Sequence, residues 1–194
     1  MRTNLIVVDN FYQNVDDVRK FALSQEFSVE GNYPGYRTAS FLNESTKNNI
    51  ERLILPHAGK VVNWLETEPG SYSGAFQISY ACHKSWVHTD NANNWAGVLF
   101  LTPNAPLEGG TGFYRSKING SIYGDSDDAV CCNNAEDMTK WELVSEVHNV
   151  YNRLILFQAD QWHTSQVYFG NTMETGRLTQ VFFFTTEYPE PYTY

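Results

Sequence analysis

Apolar residues recur along this chain at two spacings, first helical and then alternating. In "NVDDVRKFALSQEF" (14–27), Val18, Phe21, Ala22 and Gln25 follow the i, i+3, i+4, i+7 rhythm of one helix face. Asn14 suits the N-cap, and Asp16 and Asp17 suit the first turn, where the helix dipole favours negative charge. A second stripe runs through "STKNNIERLILPHAGKVVNWLE" (45–66): Ile50, Leu53, Ile54, Ala58, Val61 and Leu65. Pro56 lacks an N–H and is expected to kink this helix or split it.

After "TEPGSYSG" (67–74) the rhythm becomes that of strands. "AFQISYAC" (75–82) alternates, with Phe76, Ile78, Tyr80 and Cys82 on one face. "AGVLFLTP" (96–103) is an apolar strand ended by Pro103, and "EGGTGFYR" (108–115) a strand led by glycines. "WELVSEVHNV" (141–150) and "RLILFQAD" (153–160) are two strands joined by a tight turn, and "RLTQVFFFTTEY" (177–188) is a long aromatic strand. Many short strands after helices, with no βαβ rhythm, predict a mainly β (α+β) antiparallel sandwich with helices packed on one face. No repeat or linker divides the chain. One domain over 1–194 is expected, with a helical part over about 1–70 and a β core over about 71–188. The polar stretch from Ser116 to Lys140 is the exception, and a loop of that length fits a lid over a site. Its acids Asp125, Asp127 and Asp128 lack the downstream Glu of a calcium loop and read as solvated.

Composition narrows the function. A formal net charge of −9 argues against nucleic-acid partners, which are held through their phosphates. There is neither an apolar run long enough to span a membrane nor a basic amphipathic helix to lie on one. The start of the chain has no signal-peptide pattern. Three cysteines, Cys82, Cys131 and Cys132, make no disulfide framework and fit a reducing cytoplasm.

The candidate chemistry begins at "WVHTDN" (86–91). In an extended segment His88 and Asp90 project to one face. Alone, the pair is a common accident and reads as a polar turn. A third ligand changes that. His57 lies in a helix, His83 has the wrong parity, and His148 sits in a strand that can face either way. His163 follows a buried-looking strand and is far enough from His88 for the chain to return across a sheet. Two imidazoles and one carboxylate leave coordination positions open, the ligand set of non-haem Fe(II) oxygen chemistry. Arg177 comes 14 residues after His163. If "HTSQVYF" and "GRLTQVFFF" pair as a hairpin, Arg177 returns to the metal, where a guanidinium can grip a carboxylate by two parallel hydrogen bonds.

His88-Thr89-Asp90, His163 and Arg177, with "GGTGFYR" (109–115) and "YNRLILFQADQWHTS" (151–165), resemble the 2-oxoglutarate/Fe(II)-dependent dioxygenase superfamily, and within it the prolyl-4-hydroxylase-like branch. The resemblance covers about Ala75 to Phe184. It implies a double-stranded β-helix (jelly roll) with supporting N-terminal helices. It implies Fe(II) on His88, Asp90 and His163, and 2-oxoglutarate held by Arg177. It also implies O2 as oxidant, with ascorbate as an optional addition. Tyr80 stands where that branch often has a tyrosine touching the co-substrate, and Thr179 shares the face of Arg177. The reaction implied is hydroxylation of a small molecule or peptide, a prolyl residue among the candidates, with release of succinate and CO2. Trp86, Trp95 and Tyr114 are expected around the site, where aromatic faces suit a proline ring. The interval from His163 to Arg177 is longer than usual for that branch. Two rivals stand beside this reading: a non-catalytic jelly-roll binding module with a structural metal, and a zinc hydrolase, for which no general base is evident.

Overall fold

In the computed structural model, which describes residues 2–65, 73–90, 92–124 and 134–187, ten strands and two α-helices form among the described residues. They run β1 (Leu5–Val8), α1 (Val15–Leu23), β2 (Tyr36–Ser40), α2 (Glu44–Ala58), β3 (Val61–Trp64), β4 (Ala75–Ser79), β5 (Trp95–Phe100), β6 (Thr111–Ser116), β7 (Trp141–Val147), β8 (Leu154–Gln158), β9 (His163–Ser165) and β10 (Arg177–Thr186). Asp125, Asp127, Asp128, Cys131 and Cys132 lie outside the described residues, as does most of the centre of the 116–140 loop.

β10 organises the larger sheet, whose order is β1-β8-β5-β10-β4-β2, with β3 paired to the far end of β10. A smaller sheet has the order β7-β6-β9. Every ladder is antiparallel. The fold is therefore mainly β, two-layered and jelly-roll-like, with few helices. β10 carries the apolar run Val181–Phe184, where both its faces are buried. Leu178, Phe182 and Phe184 meet the helices, where Ala22, Ile50, Ile54 and Ala58 pack. Val181 and Phe183 point the other way, into a second core with Phe100, Phe113 and Phe157 between the sheets.

α2 starts at Asn43, whose side chain accepts the Thr46 amide at 3.0 Å. Pro56 does not split it. That residue sits in the last turn, and the helix ends at Gly59, whose φ of 76° suits a residue without a side chain. Val61 and Leu65, which continue the apolar stripe in the sequence, fall beyond that stop, and Val61 belongs to β3. α1 is capped by Asn14 without a side-chain bond and ends before Gln25.

The expected hairpin between the strands carrying His163 and Arg177 does not form. β9 pairs with β6 in the small sheet, and β10 pairs with β3, β4 and β5 in the large one. The segment between them crosses from one sheet to the other, which is why the interval is long. The turn at Tyr151 and Asn152 likewise passes the chain from β7 in one sheet to β8 in the other. No described helix is long and apolar enough to cross a membrane.

Candidate active site

The inter-sheet face of the large sheet carries polar residues at one end. Register places Arg37 of β2 opposite Gln77 of β4, and Gln77 opposite Thr179 of β10. Arg177, two residues earlier on β10, is opposite Ser79. Facing this row, His163 opens β9 and forms an isolated antiparallel bridge with His88, which brings in the loop that holds Asp90. The Asp90 amide is anchored on the Ala159 carbonyl at 2.8 Å. The rings of Phe157 (centroid 4.6 Å) and Phe113 (6.4 Å) support the His163 imidazole, which is 5% exposed.

His88, Asp90 and His163 form the one group among the described residues that can hold a metal, with their ligand atoms all within 4.8 Å of one another. Each imidazole is oriented alike. Nδ1 of His88 lies 2.9 Å from the Trp86 carbonyl, and Nδ1 of His163 lies 2.9 Å from the Gln161 carbonyl. A carbonyl only accepts, so Nδ1 carries a proton and Nε2 is the ring nitrogen turned toward Asp90. His163 Nε2 is 3.3 Å from Asp90 Oδ2, and His88 Nε2 is 4.0 Å from Asp90 Oδ1. With the rings neutral and the carboxylate ionised, these atoms would offer lone pairs to a cation placed among them. Metal–ligand bonds of about 2.0–2.2 Å put neighbouring ligand atoms about 3 to 4 Å apart, so the three side chains fit a metal.

Protonation favours the same use. Burial and the nearby His163 hold His88 below the usual histidine range, against the pull of Asp90. Burial alone would raise the Asp90 carboxyl, but contact with His163 and the charges of His163, His88 and Arg37 hold it below its usual value. A neutral imidazole and an ionised carboxylate are the ligand forms.

Arg177 is 3% exposed. Its Nε donates to the Gly109 carbonyl at 2.8 Å and its Nη2 to that of Gly110 at 3.4 Å. Burial lowers its pKa, Tyr168 works the other way, and an arginine stays charged. The two carbonyls use part of the guanidinium's donor fork and fix its direction. A side chain at Gly110 would run into the Val147 carbonyl, so the close approach of β6 and β7 that places these carbonyls needs a glycine.

These residues line one inner cavity of about 80 Å³: His88, Asp90, His163, Arg177, Thr179 and Arg37. An outer cavity of about 310 Å³ shares Tyr33, Arg37, His88, Asp90 and Phe183 with it and adds Asn93 and Leu65. A larger cleft of about 760 Å³ lies by α1 and α2 and contains none of the site residues. The structure thus brings the metal ligands, Arg177 and Thr179 together. Tyr80 is elsewhere. It shares the helix-side face with Phe76 and Ile78, and its hydroxyl donates to the Met173 sulfur at 3.2 Å. Trp95 is fully buried on that same side, stacked on Phe184. Tyr114 packs with Val87, Trp141 and Trp162, away from both cavities. Of the three expected aromatics, Trp86 alone adjoins a ligand, 6.2 Å from the His88 ring. His57, His83 and His148 bond to Thr3, the Tyr80 amide and Glu146.

Sequence reasoning missed Arg37 and Gln77. Gln77 left a trace, since it stands between Phe76 and Ile78 and so must face away from them. Arg37 left none, because its strand is placed by pairing with a segment about 40 residues on.

In fold the chain is similar to HygX from Streptomyces hygroscopicus, whose structure holds nickel and 2-oxoglutarate. The TM-score is 0.61 at 11% identity, covering 95% of this chain and 84% of that one. It is also similar to SnoK, a non-heme alpha ketoglutarate dependent carbocyclase from nogalamycin biosynthesis, with a TM-score of 0.59 at 14% identity over 94% and 80% of the two chains. The epimerase SnoN of the same biosynthesis matches with a TM-score of 0.57 at 14% identity over 94% and 79%. At such identities the likeness is one of fold. No curated protein matches the sequence. A family model matches residues 1–184, and the chain belongs to that family, a family of unknown function (DUF6445).

Proposed function

We propose that the chain is a 2-oxoglutarate- and Fe(II)-dependent oxygenase with a double-stranded β-helix core, acting as one domain on an organic substrate. The observation that carries this reading is the convergence of two oriented Nε2 atoms and a carboxylate on a cavity that also holds a buried arginine. His88, Asp90 and His163 would hold the metal. Arg177 would hold the far carboxylate of 2-oxoglutarate, with the Thr179 hydroxyl beside it. When bound, Fe(II) with 2-oxoglutarate and O2 supplies an oxidant that takes hydrogen from the substrate, the co-substrate leaving as succinate and CO2.

The chain's own contribution is orientation and exclusion of water. The Trp86 and Gln161 carbonyls keep the imidazole protons on Nδ1. Arg177, fixed by two backbone carbonyls, sets the angle at which a dicarboxylate enters. Phe157, Val181 and Phe183 form the apolar part of the inner cavity's lining and limit the access of water to it.

The outer cavity has the volume of a small-molecule site. Small-molecule ligands also appear in structures of the neighbours: HygX was solved with hygromycin B and SnoN with nogalamycin RO. A prolyl residue, the finer reading that the family resemblance implies, would here meet the rings of Tyr33 and Phe183 rather than Trp95 or Tyr114. The cysteine content and net charge support a reducing, cytoplasmic setting and a substrate other than nucleic acid. Incubation of the iron-loaded protein with 2-oxoglutarate in air tests the reading: succinate should form, and His163→Ala should form none. A binding module with a structural metal would take up metal and form no succinate in either case.

A further inference from the structure

We propose that Arg37 and Asn93 recognise a carboxylate and an adjacent N–H or O–H group on the primary substrate, so that this chain acts on small organic acids. The proposal rests on the oxygenase reading and names its substrate class. Arg37 is 7% exposed and firmly placed. Its Nε donates to Gln77 Oε1 at 2.8 Å, and Gln77 is itself fixed by donating to the Pro34 carbonyl at 2.8 Å. The guanidinium lies 3.8 Å from the centre of the Tyr33 ring and 5.7 Å from that of Phe183. A guanidinium ordered in this way loses little freedom on binding, and its fork matches a carboxylate.

Position separates Arg37 from Arg177. Arg177 lines the inner cavity alone, whereas Arg37 lines both cavities beside His88 and Asp90. A group held by Arg37 from the outer side therefore lies next to the metal ligands. Among the described residues lining either cavity, Asp90 is the only acid. Positive charge at this wall favours an anion.

Asn93 is the independent observation. It is 9% exposed and lines the outer cavity, and neither oxygen nor nitrogen of its amide has a hydrogen-bond partner. Both amide atoms are shielded from solvent, a costly state, and a turn of the side chain toward the cavity would let a ligand offering both an acceptor and a donor satisfy it. A carboxylate flanked by N–H or O–H is such a ligand.

The test uses protein loaded with nickel(II) and saturated with 2-oxoglutarate. It is titrated calorimetrically with a panel of N-acetyl-L-amino acids and with their primary amides. Acids of the panel should bind about 30-fold or more tighter than their amides. Arg37→Met should abolish that preference and Arg37→Lys restore part of it, the ratio of acid to amide affinity being read at saturating nickel and 2-oxoglutarate in both. Asn93→Leu, on a separate loop, should weaken the acids about 5-fold and decides the matter if Arg37→Met does not fold. Equal binding of acids and amides, or no binding by any acid, overturns the proposal. So does a loss in Arg37→Met that falls on 2-oxoglutarate instead. Failure of the wild-type protein to bind nickel or 2-oxoglutarate would overturn the oxygenase reading itself, a result the first two titrations report before any acid is added.

Discussion

His88 and His163 are joined through their backbones in both directions: the His88 amide donates to the His163 carbonyl at 3.0 Å, and the His163 amide to the His88 carbonyl at 2.9 Å. The two positions are thus held together by main-chain pairing, which survives loss of either side chain. His88→Ala or His163→Ala should lose most bound metal and keep the fold. Elemental analysis and circular dichroism check this, and full metal occupancy in either variant would remove the triad as the binding site.

Arg177 depends on its two carbonyl partners. Arg177→Leu should weaken 2-oxoglutarate binding to the nickel-loaded protein about 30-fold or more, since the far carboxylate loses a buried charged partner. Gly110→Ala should move the same carbonyls and weaken 2-oxoglutarate in the same direction. Nickel affinity should hold in both. Calorimetric titration of nickel, then of 2-oxoglutarate, separates the two effects.

The helix-side core joins α1 and α2 to the large sheet. Ile54 is fully buried between α2 and the large sheet. Ile54→Ala should cost about 2–5 kcal/mol through lost burial and the cavity left behind. That lowers Tm by at least about 4 °C. Nickel affinity should not change, because Ile54 lies across the sheet from the site.

The two helix caps give a contrast. Asn43 accepts the Thr46 amide, whereas Asn14 makes no side-chain capping bond. Asn43→Ala should cost about 1 kcal/mol and Asn14→Ala clearly less. Urea unfolding of the two variants compares them.

How far the sequence told this in advance follows from the range of each interaction. His88 and Asp90 were legible together because i and i+2 parity is local. The burial of "RLILFQAD" and "VFFF" was legible because strands covered on both faces show it in composition. α2 was overrun because Val61 and Leu65 keep helical spacing past Gly59, and the stop is a backbone property of that one residue. Tyr80 and Trp95 were placed at the site because parity says which residues share a face and not which face meets the helices. Only the packing of Phe76, Ile78 and Phe184 on α2 and its neighbours decides that. The same long-range pairing put Arg37 in the site unannounced and sent His163 and Arg177 to different sheets.

The shared use of one metal by His88, Asp90 and His163 to hold 2-oxoglutarate is tested most directly by optical spectroscopy without oxygen. Fe(II) and 2-oxoglutarate are added in turn to the protein, and the visible spectrum is followed. A charge-transfer band that appears only when both are present, and not in His163→Ala, is the expected result. Iron uptake by the wild-type protein with no such band at saturating 2-oxoglutarate would contradict it.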